Sequence, residues 1–215
     1  MAISALLLFV IGTSLVVGLR TLVQWRRTKD TGHRHDTGTR GSAAWWGKQL
    51  MGVANLLVAG GPVAALLGLP PVPGLDHRAI NVAGLVITLF AIPLTTMAQF
   101  NMGDSWRIGV DRREHTSLVT DGFFGLARNP IFTGFVVIGA GLAMMVPNVV
   151  AIAGLAAVVA AVQVTVRLVE EPYLVATHGA DYLSYAARVG RFVPGFGRLR
   201  HAEPWPDAAG SQAGR

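Results

Sequence analysis

Four long stretches without charge organise the chain: residues 1–19, 49–75, 79–103 and 129–166, with the basic and polar positions gathered between them. A bilayer core about 30 Å thick takes roughly 20 helical residues. Each of the first three stretches is long enough for one crossing. The fourth, 38 residues, is about twice that length, and Pro147-Asn148 falls near its middle. Proline ends or kinks a helix and asparagine favours turns, so 129–166 reads as a tight hairpin of two spans. The pattern predicts an all-α polytopic membrane protein with about five transmembrane helices.

Between the spans the pattern changes. Residues 26–42 are rich in Thr, Gly, His and Arg without hydrophobic periodicity, and read as a polar loop. Trp45 and Trp46 open the second span as an interfacial aromatic belt would, with Lys48 able to snorkel beside them. The run from Pro70 to Gly74 forms a short connection, and Pro93 predicts a kink in the third span. Residues 101–128 mix glycines, Trp106 and paired charges, as a structured loop does. After the hairpin, Leu174, His178, Tyr182, Tyr185 and Val189 recur at helical spacing, giving an interfacial helix interrupted by Gly179. The stretch 201–215, rich in Ala, Gly and Pro, reads as disordered. The resulting division is an N-terminal set of three spans over 1–100, a core over 101–194 and a disordered tail over 195–215.

Composition agrees, with 52% hydrophobic and 14% charged residues against about 25% charged in a typical soluble domain. The first run lacks the basic flank and small-residue cleavage site of a signal peptide, so it reads as a span. Having no cysteine, the chain makes no disulfide, thiolate metal site or cysteine nucleophile. A net charge of +6 would suggest nucleic acid in a soluble protein, but seventeen of the eighteen Lys and Arg fall on one side of the five-span arrangement, with Arg78 alone opposite. The positive-inside rule makes that side cytoplasmic, in a multi-pass cell-membrane protein. Topology accounts for the charge, and no nucleic-acid partner is needed.

A hairpin turning at Pro147-Asn148 brings Arg128 and Asn129 to the depth of Arg167, with Glu170 and Glu171 about 5 to 6 Å further out. Ionisable residues there are costly, which makes them candidates for function, although arginines flanking a hairpin also serve as interface anchors. Pro130 stands where a helix begins. Pro172 is expected to push Glu171 out of helical conformation and leave it as an N-cap. On this reading Arg128→Lys spares folding and weakens only the grip on an anion. His33, Arg34, His35 and Asp36 are too few and too close to predict a metal site, and none is expected.

Five ordered motifs carry a resemblance. Gly103-Asp104-Ser105-Trp106-Arg107-Ile108-Gly109, Leu118-Val119-Thr120-Asp121-Gly122 and Arg128-Asn129-Pro130-Ile131-Phe132-Thr133-Gly134 come first, then Glu170-Glu171 with the run from His178 to Tyr185, and last the run from Val189 to Pro194. Together these resemble the isoprenylcysteine carboxyl methyltransferase and phospholipid methyltransferase superfamily. The resemblance implies a membrane enzyme that uses S-adenosylmethionine and takes a hydrophobic or lipid-like acceptor from the bilayer. Carried onto this chain, it implies cofactor contacts from Asn129, Pro130, Phe132, Gly134, Glu170, Glu171, His178, Tyr182 and Arg191. Arg128, Arg167 and Glu171 would act at the reacting groups, an arginine orienting a carboxylate acceptor or a glutamate taking the proton of an amine. Asn129 and Phe132 stand where the superfamily often has His and Tyr, and an amide cannot serve as acid or base near neutral pH. Membrane sterol reductases, which use a reduced nicotinamide, resemble the same half, and a non-catalytic membrane protein is the remaining alternative.

Overall fold

The structure is a computed structural model that describes residues 1–32, 39–103, 106 and 117–199. The His33 to Asp36 cluster, most of the motif from Asp104 to Gly109, and the stretch 201–215 lie outside the described residues. Among the described residues the fold is helical, with one isolated bridge between Ala127 and Gly190. The helices are α1 (Ala2–Thr28), α2 (Ala43–Leu66), α3 (Arg78–Asn101), the short α4 (Phe123–Leu126), α5 (Pro130–Met145), α6 (Val149–Thr165) and α7 (Glu171–Arg188). Two π-helical stretches, Ser14–Leu19 inside α1 and Val166–Glu170 between α6 and α7, run on without a break.

α1, α2, α3 and the continuous α6–α7 unit are each long and apolar enough to cross a membrane, while α5 is a shorter apolar helix. Their outward faces match a lipid solvent: Leu56 is 75% and Phe90 67% exposed. The first helix continues through Thr28, three residues into the stretch read as loop, and stops where Lys29 adopts a left-handed conformation. Ser42 caps α2 by accepting a hydrogen bond from Trp45 N at 3.2 Å.

The hairpin turns where expected. α5 ends at Met145, and Asn148 caps α6, accepting from Ala151 N at 2.9 Å and donating to Gly61 O at 2.8 Å. The same end is tied by Asn81, which donates to Met145 O at 3.1 Å. Yet the hairpin arms pack most extensively on earlier helices, α5 on α3 and α6 on α2. Lipid supplies no hydrophobic drive between helices, so close backbone approach through small residues must do so. A Cβ on Gly134 or Gly141 would overlap Thr95 or Thr88 of α3, and one on Gly154 would meet Val58 N of α2 at 2.9 Å. The core is accordingly built of small and branched residues, including Ala54, Val58, Leu142, Ala151, Val162 and Val166.

Candidate functional site

The site forms where α6 gives way to α7. Pro172 lacks an N–H, and its ring crowds the carbonyl four residues back, which ordinarily ends a helix. Here the chain stays helical, with Glu171 at φ −60, ψ −45 and its N–H bonded to Val166 O five residues earlier. The expected N-cap role for Glu171 is therefore corrected: the wider π turn absorbs the proline and carries Glu171 inward as a helical residue. It ends up 2% exposed.

A buried carboxylate needs counter-charge. Glu171 has two: Arg128 Nη2 donates to Oε1 at 2.6 Å, and Arg191 forks onto it, Nε to Oε1 at 2.8 Å and Nη2 to Oε2 at 2.9 Å. Arg128 also donates through Nη1 to Ala186 O and Val189 O, both at 2.9 Å, and through Nη2 to Gly197 O at 3.3 Å. One guanidinium thus joins the start of α5, the start and end of α7 and the strap that follows, residues 189–199. The strap lies against the segment before α5, with Arg128 N on Gly190 O at 2.8 Å and Asn129 N on Arg191 O at 3.1 Å.

Gly179 breaks α7 at φ 51, ψ −123, a conformation that strains any residue with a Cβ. Beyond the break Tyr182, Tyr185 and Ala186 pack together, with Leu118, Leu174 and Leu199 around them. Tyr185 donates its hydroxyl to Phe124 O at 2.6 Å, and Asn101 accepts from Phe123 N at 2.9 Å, so the loop before α5 is pinned from both sides. Tyr182 is 1% exposed, within electrostatic reach of Arg128, Glu170 and Glu171. Tyr182 Oη, His178 Nε2 and Arg128 Nε are buried polar atoms with no hydrogen-bond partner among the described residues. Such atoms are uncommon in folded chains, and three of them fall on residues of this region.

The structure brings Arg128, Glu171 and Arg191 into one cluster, with Tyr182 and half-buried Glu170 beside it. Asn129 donates its amide to Arg191 O at 3.1 Å, which fixes the strap. Pro130 opens α5 as predicted. Phe132 packs into the helical core and edge-on to Phe135, and Gly134 faces Thr95; both are accounted for by helix packing. Arg167 is exposed, outside the cluster, so the geometry does not pair it with Arg128 as equal depth suggested. The structure argues against the expectation that Arg128→Lys spares the fold, because four protein oxygens already occupy Arg128. Sequence reasoning missed the strap contacts, including Thr133 Oγ1 donating to Phe192 O at 2.8 Å; the motif from Val189 to Pro194 was visible, but not its partner. Among the described residues no three His, Asp or Glu side chains gather as a metal would need.

Comparison with known proteins finds relatives of the kind the motifs resemble. Residues 80–181 match the family described as phospholipid methyltransferase, a span from α3 to the middle of α7. Over 125 residues the chain is 33% identical to protein-S-isoprenylcysteine O-methyltransferase B of Arabidopsis thaliana and 31% identical to protein-S-isoprenylcysteine O-methyltransferase A of the same plant. Each match covers 57% of this chain and 64% of the relative, so the chain spans just under two thirds of their length.

Proposed function

We propose, from the homology of residues 80–181 to phospholipid methyltransferases and the cluster built within and beside them, that this chain is a membrane methyltransferase. It takes a methyl group from S-adenosylmethionine to a hydrophobic or lipid-like acceptor, at the basic, cytoplasmic face. The observation that carries the reading is Glu171, held in place by Arg128 and Arg191, with the unpaired Tyr182 Oη and His178 Nε2 on the same helix. When bound, S-adenosylmethionine supplies an electrophilic methyl carbon on a sulfonium, and a water-poor site favours its reaction with an anionic acceptor because charge is lost.

The residues themselves bind and orient. Tyr182 and His178 offer the hydrogen bonds for the polar parts of the cofactor, and Glu170 supplies negative charge to balance its cation, Glu171 being taken up by the two guanidiniums. With two guanidiniums on one carboxylate, Arg128, Arg191 and Glu171 keep an excess positive charge. Arg191 engages Glu171 through Nε and Nη2, leaving Nη1 for an acceptor carboxylate. Arg128 acts as a positioning residue, holding Glu171 and the strap. A carboxylate acceptor needs no base, in keeping with the O-methyltransferase names of the relatives, whereas an amine acceptor would lose its proton to Glu170.

Binding of S-adenosylhomocysteine to the purified chain in detergent tests this. It should raise the melting temperature with ligand concentration, because it binds only the folded form. Tyr182→Phe and His178→Gln should each weaken that affinity about tenfold, the equivalent of one hydrogen bond. A shift with NADPH and none with S-adenosylhomocysteine would replace this reading with a reductase.

A further inference from the structure

The strap after α7 carries apolar side chains outward on the face that holds the site. Val193 to Arg198 are all exposed, with Val193 at 51% and Phe196 at 76%. Exposing two large apolar side chains together is unfavourable in water, a cost that lipid removes. Val189, Gly190, Arg191 and Phe192 each have their carbonyl bonded, to Arg128, Asn129 or Thr133. The carbonyls of Val193, Phe196 and Gly197 accept from Phe196 N at 3.1 Å, Arg191 N at 2.8 Å and Arg128 Nη2 at 3.3 Å. Non-helical backbone at membrane depth requires this kind of internal satisfaction.

Depth follows from the helix beside it. α5 has 16 residues, about 24 Å at helical rise, and falls short of a core about 30 Å thick. Its first turn holds the strap through Thr133, and Phe192 packs onto the helical core of the bundle. The strap therefore sits level with the end of a helix too short to reach the headgroups. Arg188 and Arg198 are exposed at its two ends, and residues 182–199 contain no Asp or Glu.

We propose that the strap is a lipid-inserted wedge: Val193 and Phe196 enter the acyl boundary of the leaflet on the site face, and Arg188 and Arg198 bind the phosphates of anionic lipids. The partner is the membrane surface of that leaflet. The inference rests on the membrane fold and is independent of the reaction.

The absence of cysteine allows a direct test. A nitroxide on Phe196→Cys, in nanodiscs of phosphatidylcholine with phosphatidylglycerol, should collide with oxygen more than with a water-soluble nickel chelate. It should resemble a label at lipid-facing Leu56→Cys and differ from one at exposed Arg40→Cys. Val193→Cys, also exposed, repeats the reading at a second position. In the parent background the label should lie deeper with phosphatidylglycerol present than in phosphatidylcholine alone, and Arg188→Gln with Arg198→Gln should abolish the difference. Nickel collisions matching Arg40→Cys at both strap positions would overturn the wedge. Equal depth in the two lipids would overturn the role given to the arginines.

Discussion

Replacing Glu171 by glutamine changes one atom type in the cluster and leaves its volume almost intact. In the parent, one carboxylate accepts three hydrogen bonds from two guanidiniums, with side-chain exposures of 1% for Arg128, 15% for Arg191 and 3% for Glu171. The amide is neutral, and its NH2 group turns a donor toward a donor. Both guanidiniums then lack their counter-charge. Removing one partner of a buried pair costs roughly 3–5 kcal/mol, and the partial exposure of Arg191 lets solvent screen some of it, so about 3 kcal/mol is expected. The readout is unfolding in mixed micelles, where that loss corresponds to a melting temperature lower by roughly 6–12 °C for a chain of this size. Asp121→Asn, at an exposed position, should stay within about 0.5 kcal/mol of the parent. The double variant Glu171→Gln, Arg191→Met removes one of the two guanidiniums left without counter-charge, the one that bonds Glu171 alone, and should be more stable than Glu171→Gln. A loss below about 1 kcal/mol for Glu171→Gln, or a double variant less stable than the single, would show that these charges are not coupled as described.

Gly134→Ala should destabilise by about 1–3 kcal/mol in the same assay, because its Cβ overlaps Thr95, and Thr95→Ala should restore at least half of that. A single cysteine at Leu75 should react with impermeant thiol reagent only from outside the cell, and one at Ser117 only from the cytoplasm. Reaction of Leu75→Cys from the cytoplasm would refute the orientation derived from the basic residues.

The features legible in the sequence are those whose cause is local. Pro147-Asn148 turns the hairpin, Pro130 opens a helix and Gly179 breaks one, because proline, asparagine and glycine act on their own backbone. Where two local tendencies competed, the sequence misled. Pro172 disfavours helix at Glu171, but a π turn keeps the helix going, and no residue between Val166 and Glu170 announces it. Long-range choices were hidden too. Gly84 and Gly141 read only as part of apolar runs and Gly134 as an implied cofactor contact, yet they decide that α5 packs on α3. Glu171, Arg128 and Arg191 each stand out in the sequence, but their convergence does not. Arg128 meets its carbonyl partners 58, 61 and 69 residues away, through a strap whose register nothing in its own sequence specifies.

The central claim is methyl transfer into a lipid-like acceptor, and one measurement addresses it whichever lipid that acceptor is. Purified protein in nanodiscs would be given S-adenosylmethionine labelled in the methyl group, together with a total lipid extract, and the organic phase counted against heat-denatured protein. Label should accumulate with time in the organic phase, be suppressed by S-adenosylhomocysteine, and be released as methanol by mild base if the acceptor is a carboxylate. An organic phase no more radioactive than the heat-denatured control, in preparations whose fold is intact, would contradict the account.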